Sequence, residues 1–182
     1  GQVLAVEENR NEHRLVAIDL ADGTRHLLAE GADFYAAPTL SPDGQRLAWI
    51  EWSRPDQPWT ATRLMVAHRQ ADGSYASPFC VAGDQSQESL QQPRFDSNGH
   101  LYCLTDRAGY WQPWVESADG LKPLPCAAAD HGPAPWQLGG CTWLPLGKGS
   151  YLASWTEGGF GRLGLCATGC DDFTGDYSRF RH

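Results

Sequence analysis

The chain has 182 residues, of which 41% are hydrophobic, and its 22 acidic and 14 basic residues give a net charge of -8. This apolar share is enough to build a core, and scattered arginines in an acidic chain exclude a phosphate-tracking surface, so nucleic acid is not expected as a partner. No run of roughly 18 apolar residues occurs and the first residues lack the pattern of a signal peptide, so neither membrane insertion nor secretion is expected.

In chain order, the first predicted elements are "QVLAVEEN" and "RLVAIDL", which read as the second and third strands of a sheet whose innermost strand is missing. Four short runs follow, "YAAPTL", "RLAWIEW", "RLMVA" and "SPFCV". Four more come after them, "QQPRF", "HLYCLTD", "QPWVES" and "LKPLP". They are rich in aromatic and β-branched residues and bounded by Gly, Pro, Asp and Asn, which is typical of strands, and no segment shows a helical apolar pattern.

Two interleaved series of turn glycines show that these strands belong to a repeated unit. One series has spacings of 50, 47 and 49 residues by subtraction, and its members are Gly23, Gly73, Gly120 and Gly169. The other follows "SPDG", "DSNG" and "LGKG", with spacings of 55 and 50, and its members are Gly44, Gly99 and Gly149. Asp-Gly and Asn-Gly tolerate the positive φ of tight hairpins. A period near 50 residues built of four strands predicts a β-propeller blade.

The sequence therefore predicts an all-β fold, a partial β-propeller of about three and a half four-stranded antiparallel blades. The expected units are residues 1–30, 31–83, 84–127 and 128–173, with residues 174–182 opening a further blade through "YSRFRH". Tryptophans on strands are expected to wedge between neighbouring blades; they are Trp49, Trp114, Trp143 and Trp155. Because propeller blades bury their faces only against neighbours, we expect a fragment of a longer protein that self-associates through its open faces.

The chain resembles the N-terminal propeller of prolyl oligopeptidase-family serine peptidases, in the acylaminoacyl-peptidase and dipeptidyl-peptidase-like branch. The similar stretches are "APTLSPDGQRLAWIEW", "RPDQPWTATRLMVA", "QPRFDSNGHLYCLTDRAGYWQPW", "DHGPAPWQLGGCTWLP" and "YLASWTEGGFGRLGL". "DSNG" and "LGKG" depart from the usual "SPDG". The resemblance implies a separate C-terminal α/β-hydrolase domain with a Ser, Asp, His triad, whose active site the propeller screens so that only short peptides enter.

No catalytic residue is expected in the chain itself. No serine has glycine both two positions before and two positions after it, so the G-x-S-x-G elbow of such hydrolases is absent from the sequence. Steric gating needs no reactive side chain. The expected partners are the hydrolase domain of the parent chain and a peptide substrate.

Three connections are predicted to share one face, because an antiparallel chain reverses at every turn. They are "WSRPDQPWTAT", "DRAGYWQ" and "DHGPAPW", and their aromatic density suggests contact with a peptide or another domain. The candidate residues facing substrate or domain are Trp52, Trp59, Arg107, Tyr110, Trp111 and Trp136. The alternative is that the aromatic residues pack against one another and shield blade edges. For Arg107, binding of a substrate carboxylate competes with a pair to Asp106 that fixes its own turn.

A second functional class fits the same turns, namely a non-catalytic TolB-like or WD-like propeller that binds another protein. A third is a carbohydrate-active propeller that stacks sugars on tryptophan. Glu7 and Glu8 resemble an amine-binding pair but are expected on a blade strand.

The six cysteines are interpreted as reduced thiols, because the chain is too long and too apolar for a small disulfide scaffold. They are Cys80, Cys103, Cys126, Cys141, Cys166 and Cys170. Cys166 and Cys170 form the only close pair, and a zinc site would need further ligands at regular spacing. No metal and no cofactor are therefore expected. Thiols and the missing signal together predict a cytoplasmic location.

Overall fold

The computed structural model describes residues 1–10, 12–85, 87–177 and 179–180, and in these ranges every regular element is a β-strand. The strands form one three-stranded and three four-stranded sheets, and every pairing within them is antiparallel. The predicted all-β partial propeller is thereby confirmed. Since no helix occurs in the described residues, none of them could serve as a membrane-spanning helix.

Each sheet is a meander whose strand order follows the chain. The first consists of β1 (Gln2–Asn9), β2 (Glu12–Asp19) and β3 (Arg25–Ala29). The second consists of β4 (Phe34–Leu40), β5 (Arg46–Trp52), β6 (Arg63–Arg69) and β7 (Tyr75–Ala82). The third consists of β8 (Leu90–Phe95), β9 (Leu101–Thr105), β10 (Gln112–Ser117) and β11 (Gly120–Pro123). The fourth consists of β12 (Trp143–Gly147), β13 (Ser150–Glu157), β14 (Phe160–Cys166) and β15 (Cys170–Asp172).

The turn glycines create the hairpins in the way the sequence indicates. Gly44 and Gly99, which close the first hairpins of the second and third sheets, have φ of 65° and 82°. Gly73 has φ of 87° between β6 and β7. These are left-handed conformations, which a residue without Cβ adopts at little cost. Register is therefore set at the turns and leaves alternate side chains on opposite faces of each strand.

Three apolar cores lie between successive sheets, and alternation along the central strands produces them. On β5, Leu47 and Trp49 face the first sheet, whereas Ala48 and Ile50 face the third. On β9, Cys103 packs toward the second sheet and Tyr102 toward the fourth. Both faces of a central strand are thus buried, each against a different neighbour. The sheets are held together by face-to-face burial, as in propeller blades.

The strand tryptophans take part in these cores. Trp49, Trp143 and Trp155 are 1%, 2% and 5% exposed and lie in the first and third cores. Trp114 is only half-buried, because its ring lies under the Arg107 guanidinium at 4.9 Å instead of between two sheets. The predicted wedging between blades is confirmed for the other three.

The cysteine interpretation is wrong for one pair. Cys166 and Cys170 face each other in the register of β14 and β15 and form a disulfide across that hairpin. Cross-strand neighbours bring two Cβ atoms into bonding range, which sequence spacing alone does not reveal. Cys80, Cys103, Cys126 and Cys141 are free thiols. The cytoplasmic location remains a prediction, without the support of six reduced cysteines.

The predicted opening strand of a further blade, at residues 177–182, falls partly on residues 178, 181 and 182, which lie outside the described residues. In the preceding segment the Tyr177 amide donates to the Thr174 carbonyl in a turn.

Candidate functional site

Three connections meet on one face of the molecule: residues 53–62 between β5 and β6, residues 106–111 between β9 and β10, and residues 124–142 between β11 and β12. In a meander, the connection after the second strand and the connection between sheets emerge on the same side. Contacts confirm that the three connections touch. We call the set the loop face.

Ser89, which is fully buried just before β8, joins the first two connections. Its hydroxyl donates to the Pro58 carbonyl at 2.7 Å and accepts the Trp111 Nε1 hydrogen at 3.0 Å. Its amide donates to the Asp106 carboxylate at 2.7 Å. Burial is the main influence on Asp106 and raises the pKa of its carboxyl, while the amide hydrogen bond opposes that rise. One small side chain therefore fixes two loops of different sheets relative to each other.

Two hydrogen bonds join the third connection to the second, one to a backbone carbonyl and one to a carboxylate. The His131 amide donates to the Trp111 carbonyl at 2.8 Å, and the Trp111 amide donates to Asp130 Oδ1 at 3.0 Å. The Asp130 carbonyl in turn accepts the Thr156 amide, which ties the connection to β13. The loop face is thus an assembled surface rather than three independent tips.

A groove of about 520 Å³ opens on this face between the second and third sheets and the arm formed by residues 133–140. This volume lies in the range of ligand sites. Aromatic, aliphatic and prolyl side chains dominate the walls, among them Ile50, Trp52, Pro58, Trp136 and Leu138. None of the lining residues carries a charge, and the polar side chains among them are Gln91, Gln92 and Gln137.

Two backbone bulges border the groove. Ala37 on β4 and Gln92 on β8 have φ of 50°, and the strand register shifts at each of them. Non-glycine residues adopt left-handed backbone at a cost, and such positions cluster at functional sites. β4 and β8 are also the edge strands of their sheets, so one side of each has no neighbouring strand.

A network of amide side chains supports the arm. Gln92 Oε1 accepts the Thr142 amide at 2.9 Å, and Gln92 Nε2 donates to Gln91 Oε1 at 3.1 Å. Gln91 Nε2 donates to the Pro133 carbonyl at 3.0 Å. Gly132 lies against this pair, because a Cβ there would be 3.2 Å from Gln92 Nε2 and 2.9 Å from Leu104 Cδ1. The buried glutamines therefore bind the two ends of the arm.

The structure places two of the six predicted site residues, Trp52 and Trp136, in the lining of the groove, and Trp59 lies against Trp136. Trp52 stacks on Phe34, with ring centroids 5.3 Å apart, and lines the groove. Trp136 is 72% exposed, also lines the groove and packs on Trp59 with centroids 4.2 Å apart. Tyr110 is exposed and lies outside the lining. The contact between Trp59 and Trp136 agrees with the alternative in which the loop aromatics pack against one another. Trp52 and Trp136 nevertheless both line the groove.

Arg107 is committed to a structural ion pair. Its Nε and Nη2 donate to the two carboxylate oxygens of Glu88 at 2.8 and 2.7 Å. Neither the expected pair with Asp106 nor an open guanidinium is observed. The hydrogen bonds of Glu88 raise the pKa of Arg107. Glu7, weighed as an amine ligand, is likewise bound by Arg25.

A second cavity of about 810 Å³ lies where the third connection meets the fourth sheet. Trp111 and Trp155 line it, together with His131, which stacks on Trp155 at 5.8 Å. His131 Nδ1 lies 3.0 Å from the Ala129 carbonyl and donates to it, and Nε2 is buried with no hydrogen-bond partner among the described residues. Burial is the main cause that lowers the pKa of His131, and burial favours the neutral form of the ring.

Sequence reasoning found the three loops and their tryptophans but missed Gln91, Gln92 and the bulges. A signal for the bulges was present. Ala37 and Gln92 each stand seven residues before a turn glycine, since 44 - 37 and 99 - 92 both equal 7, and each precedes a proline.

Comparison with solved structures finds close similarity to two puromycin-hydrolysing enzymes. The structure described as puromycin hydrolase is 26% identical with a TM-score of 0.84, over 93% of this chain and 27% of that one. The structure of a Mycobacterium tuberculosis puromycin-hydrolyzing peptidase is 30% identical with a TM-score of 0.82, over 98% of this chain and 29% of that one. The chain thus spans less than a third of the length of these proteins.

TolB from Acinetobacter baumannii is more distant: it is 15% identical with a TM-score of 0.55, over 92% of this chain and 49% of that one. This likeness shows the fold alone. The chain matches no protein-family model and none of the curated proteins.

Four stacked meanders with buried faces define the chain as a partial β-propeller. Its similarity to the puromycin-hydrolysing enzymes, with TM-scores of 0.82 to 0.84, fits the propeller domain of the prolyl oligopeptidase family. The family resemblance of the sequence is confirmed.

Proposed function

We propose that this chain is the propeller part of a serine peptidase and that it limits the entry of peptides to a separate α/β-hydrolase domain. The observation that carries the proposal is the 26% to 30% identity to puromycin-hydrolysing enzymes over 93% to 98% of the chain. Those proteins are more than three times as long as the matched region, which leaves room for a catalytic domain. The loop face supports the proposal, because it presents the exposed aromatic side chains of Trp136 and Tyr110.

The alternative is a TolB-like propeller that binds a protein and catalyses nothing. The lower identity and TM-score to TolB favour the peptidase proposal. The two differ in what a complete gene product contains, since only the peptidase needs a G-x-S-x-G elbow in an α/β domain.

The test uses the product of the complete reading frame and fluorogenic peptides of increasing length. We expect short peptides to be cleaved and folded proteins to be spared. Removal of residues 134–139 from the arm should extend cleavage to longer peptides. The isolated 182-residue chain is the control and should cleave none of them. A complete reading frame without a hydrolase domain, or a peptide-length limit unchanged by the deletion, would contradict the proposal.

A further inference from the structure

The groove on the loop face has a chemical character that selects its occupant. Its walls carry Trp52 and Trp136 with Ile50 and Leu138, and no charged side chain of the described residues lines it. A charged group entering such a site would lose hydration without gaining a counter-ion. An uncharged aromatic group, in contrast, would bury apolar surface and stack on indole.

The polar groups beside the groove are side-chain amides and the main chain of two edge strands. The Gln91 and Gln92 side chains are engaged with each other, Pro133 and Thr142, so they shape the floor. The bulged strands β4 and β8 are edge strands with no neighbouring strand on one side, and on β8 Thr62 Oγ1 already bonds the amide and carbonyl of Leu90. Edge-strand N–H and C=O groups recognise the amides of an extended peptide, and neighbouring pockets recognise its side chains.

The backbone at the groove is also preformed. Ala37 and Gln92 hold left-handed conformations, Gly132 packs closely against Leu104 and the glutamines, and Ser89 fixes the neighbouring loops. A preformed site loses less conformational entropy when it binds.

We propose that this groove binds one uncharged aromatic side chain of a peptide, between Trp52 and Trp136, together with the flanking amides at the β4 and β8 bulges. This assignment rests on the proposed peptidase function and names the side chain that the propeller accepts. The groove would select peptides by the charge of one side chain, whereas the gating proposed above excludes peptides by their length.

The test uses the 182-residue chain and three blocked tripeptides: N-acetyl-glycyl-phenylalanyl-glycinamide and its counterparts with glutamate or lysine in the centre. Heteronuclear NMR titration gives both the affinity and the residues affected. We expect the phenylalanine peptide to shift signals of the groove residues and to bind at least about tenfold more tightly than either charged peptide.

Leu138→Glu is the decisive variant, because Leu138 is 56% exposed and its replacement places a carboxylate on the groove wall without disturbing a core. It should weaken the phenylalanine peptide about tenfold and improve binding of the lysine peptide. Leu20→Glu is the matched control, since Leu20 is 68% exposed in the β2–β3 turn on the opposite face. Trp136→Ala should also weaken the phenylalanine peptide, and Tyr177→Ala, at a similarly exposed aromatic residue, should not.

Equal affinity for the three peptides, absence of binding, or an unchanged affinity in Leu138→Glu would overturn the assignment. Signals of the groove residues that shift with protein concentration alone would assign the groove to a second copy of the chain and would also overturn it, whereas association through the outer sheet faces would shift other signals. Failure here leaves the proposed function standing if the complete gene product still cleaves by length. If the peptide binds in the groove but the complete reading frame encodes no hydrolase domain, the proposed peptidase function is wrong. The groove would then still be assigned to uncharged aromatic side chains.

Discussion

Arg107 and Glu88 form a two-pronged ion pair in which the Glu88 carboxylate is 1% exposed and the Arg107 guanidinium covers the Trp114 ring. Thr105 Oγ1 donates a further hydrogen bond to Glu88 at 2.6 Å. The pair joins the segment before β8 to the turn after β9. Because this arginine is fully engaged, its role lies in holding the loop face together.

Arg107→Met should therefore lower the free energy of unfolding by about 2 to 3 kcal/mol, less than the loss for a fully buried pair because Arg107 is 29% exposed. Urea unfolding measures it. Arg107→Lys should recover part of the loss, since it keeps the charge but not the planar fork. The exposed pair Arg54–Asp33, at 3.7 Å, is the control, and Arg54→Met should cost about 0.5 kcal/mol or less. Equal effects in Arg107→Met and Arg54→Met would contradict the structural role.

His131 predicts a fall in stability under mildly acidic conditions. Burial lowers the pKa of His131 in the folded chain below its unfolded value near 6.5, and the neighbouring Asp130 opposes this only in part. The unfolded chain then binds the proton more readily, so stability is retained above about pH 6.5 and falls as pH drops from there toward the folded pKa.

The measurement is urea unfolding of the wild type and His131→Phe between about pH 8 and 5.5, a window set by the histidine value. His131→Phe should show a smaller loss across this window, and His26→Gln, at an exposed histidine, should follow the wild type. Parallel profiles for the wild type and His131→Phe would refute the assignment to His131.

Gly132 predicts that a single methyl group would disturb the floor of the groove. A Cβ at this position would lie 2.9 Å from Leu104 Cδ1, and Leu104 is fully buried, so its side chain can shift only by displacing its neighbours. Gly132→Ala should cost about 1 to 3 kcal/mol, as overpacked cores do. At Gly140 the nearest atom is Gln92 Nε2 at 3.8 Å, so Gly140→Ala should be nearly neutral. Urea unfolding of both variants measures the difference. A neutral Gly132→Ala would show that the floor is loosely packed.

The cysteines give a direct chemical test of the β14–β15 hairpin. In denaturant without reductant, thiol titration should find four reactive groups, and after reduction six. Because the disulfide closes a very short loop, Cys166→Ala with Cys170→Ala should cost no more than about 2 kcal/mol. Six thiols in the unreduced protein would mean that the pair is not joined.

The outer faces of the first and last sheets predict self-association. Val3 and Ile18, paired across β1 and β2, are 45% and 36% exposed, and Leu144 and Leu165 on the fourth sheet are 48% and 40% exposed. Sheet faces of this kind bury their apolar surface against a partner. The apparent mass in light scattering should rise with concentration, and Leu144→Asp with Leu165→Lys should reduce it. A concentration-independent monomer in the wild type would contradict this prediction.

The fold could be predicted from the sequence because turn chemistry and strand alternation are local. Gly44, Gly73 and Gly99 stand at left-handed turns, and the runs between them became strands of the expected order. Trp49 and Trp143 are buried between sheets because each occupies a strand position whose neighbours are apolar on the same face. Local rules repeated at a fixed period are enough to specify stacked sheets.

The groove could be predicted only in part, because it depends on distances between units. Trp52 and Trp136 were recognised as loop-face aromatics, yet 84 residues separate them, by subtraction, and no local pattern says that they line one groove. The Gln92–Thr142 contact spans 50 residues and forms only after two sheets have packed. The carboxylate that pairs with Arg107 could likewise not be read from the sequence. Glu88, 19 residues earlier, forms the ion pair in place of the adjacent Asp106.

The matching bulges at Ala37 and Gln92 show that the backbone conformation at this position does not depend on which side chain is present. The same left-handed step recurs in two modules, although one carries a methyl group and the other a carboxamide, so the backbone kink belongs to the module and not to the side chain. Exchange of the methyl-bearing residue at position 37 would therefore change the groove lining while the scaffold keeps its shape, whereas Gln92 also holds the arm through Thr142. Diversification at Ala37 would alter selectivity without a matching loss of foldability.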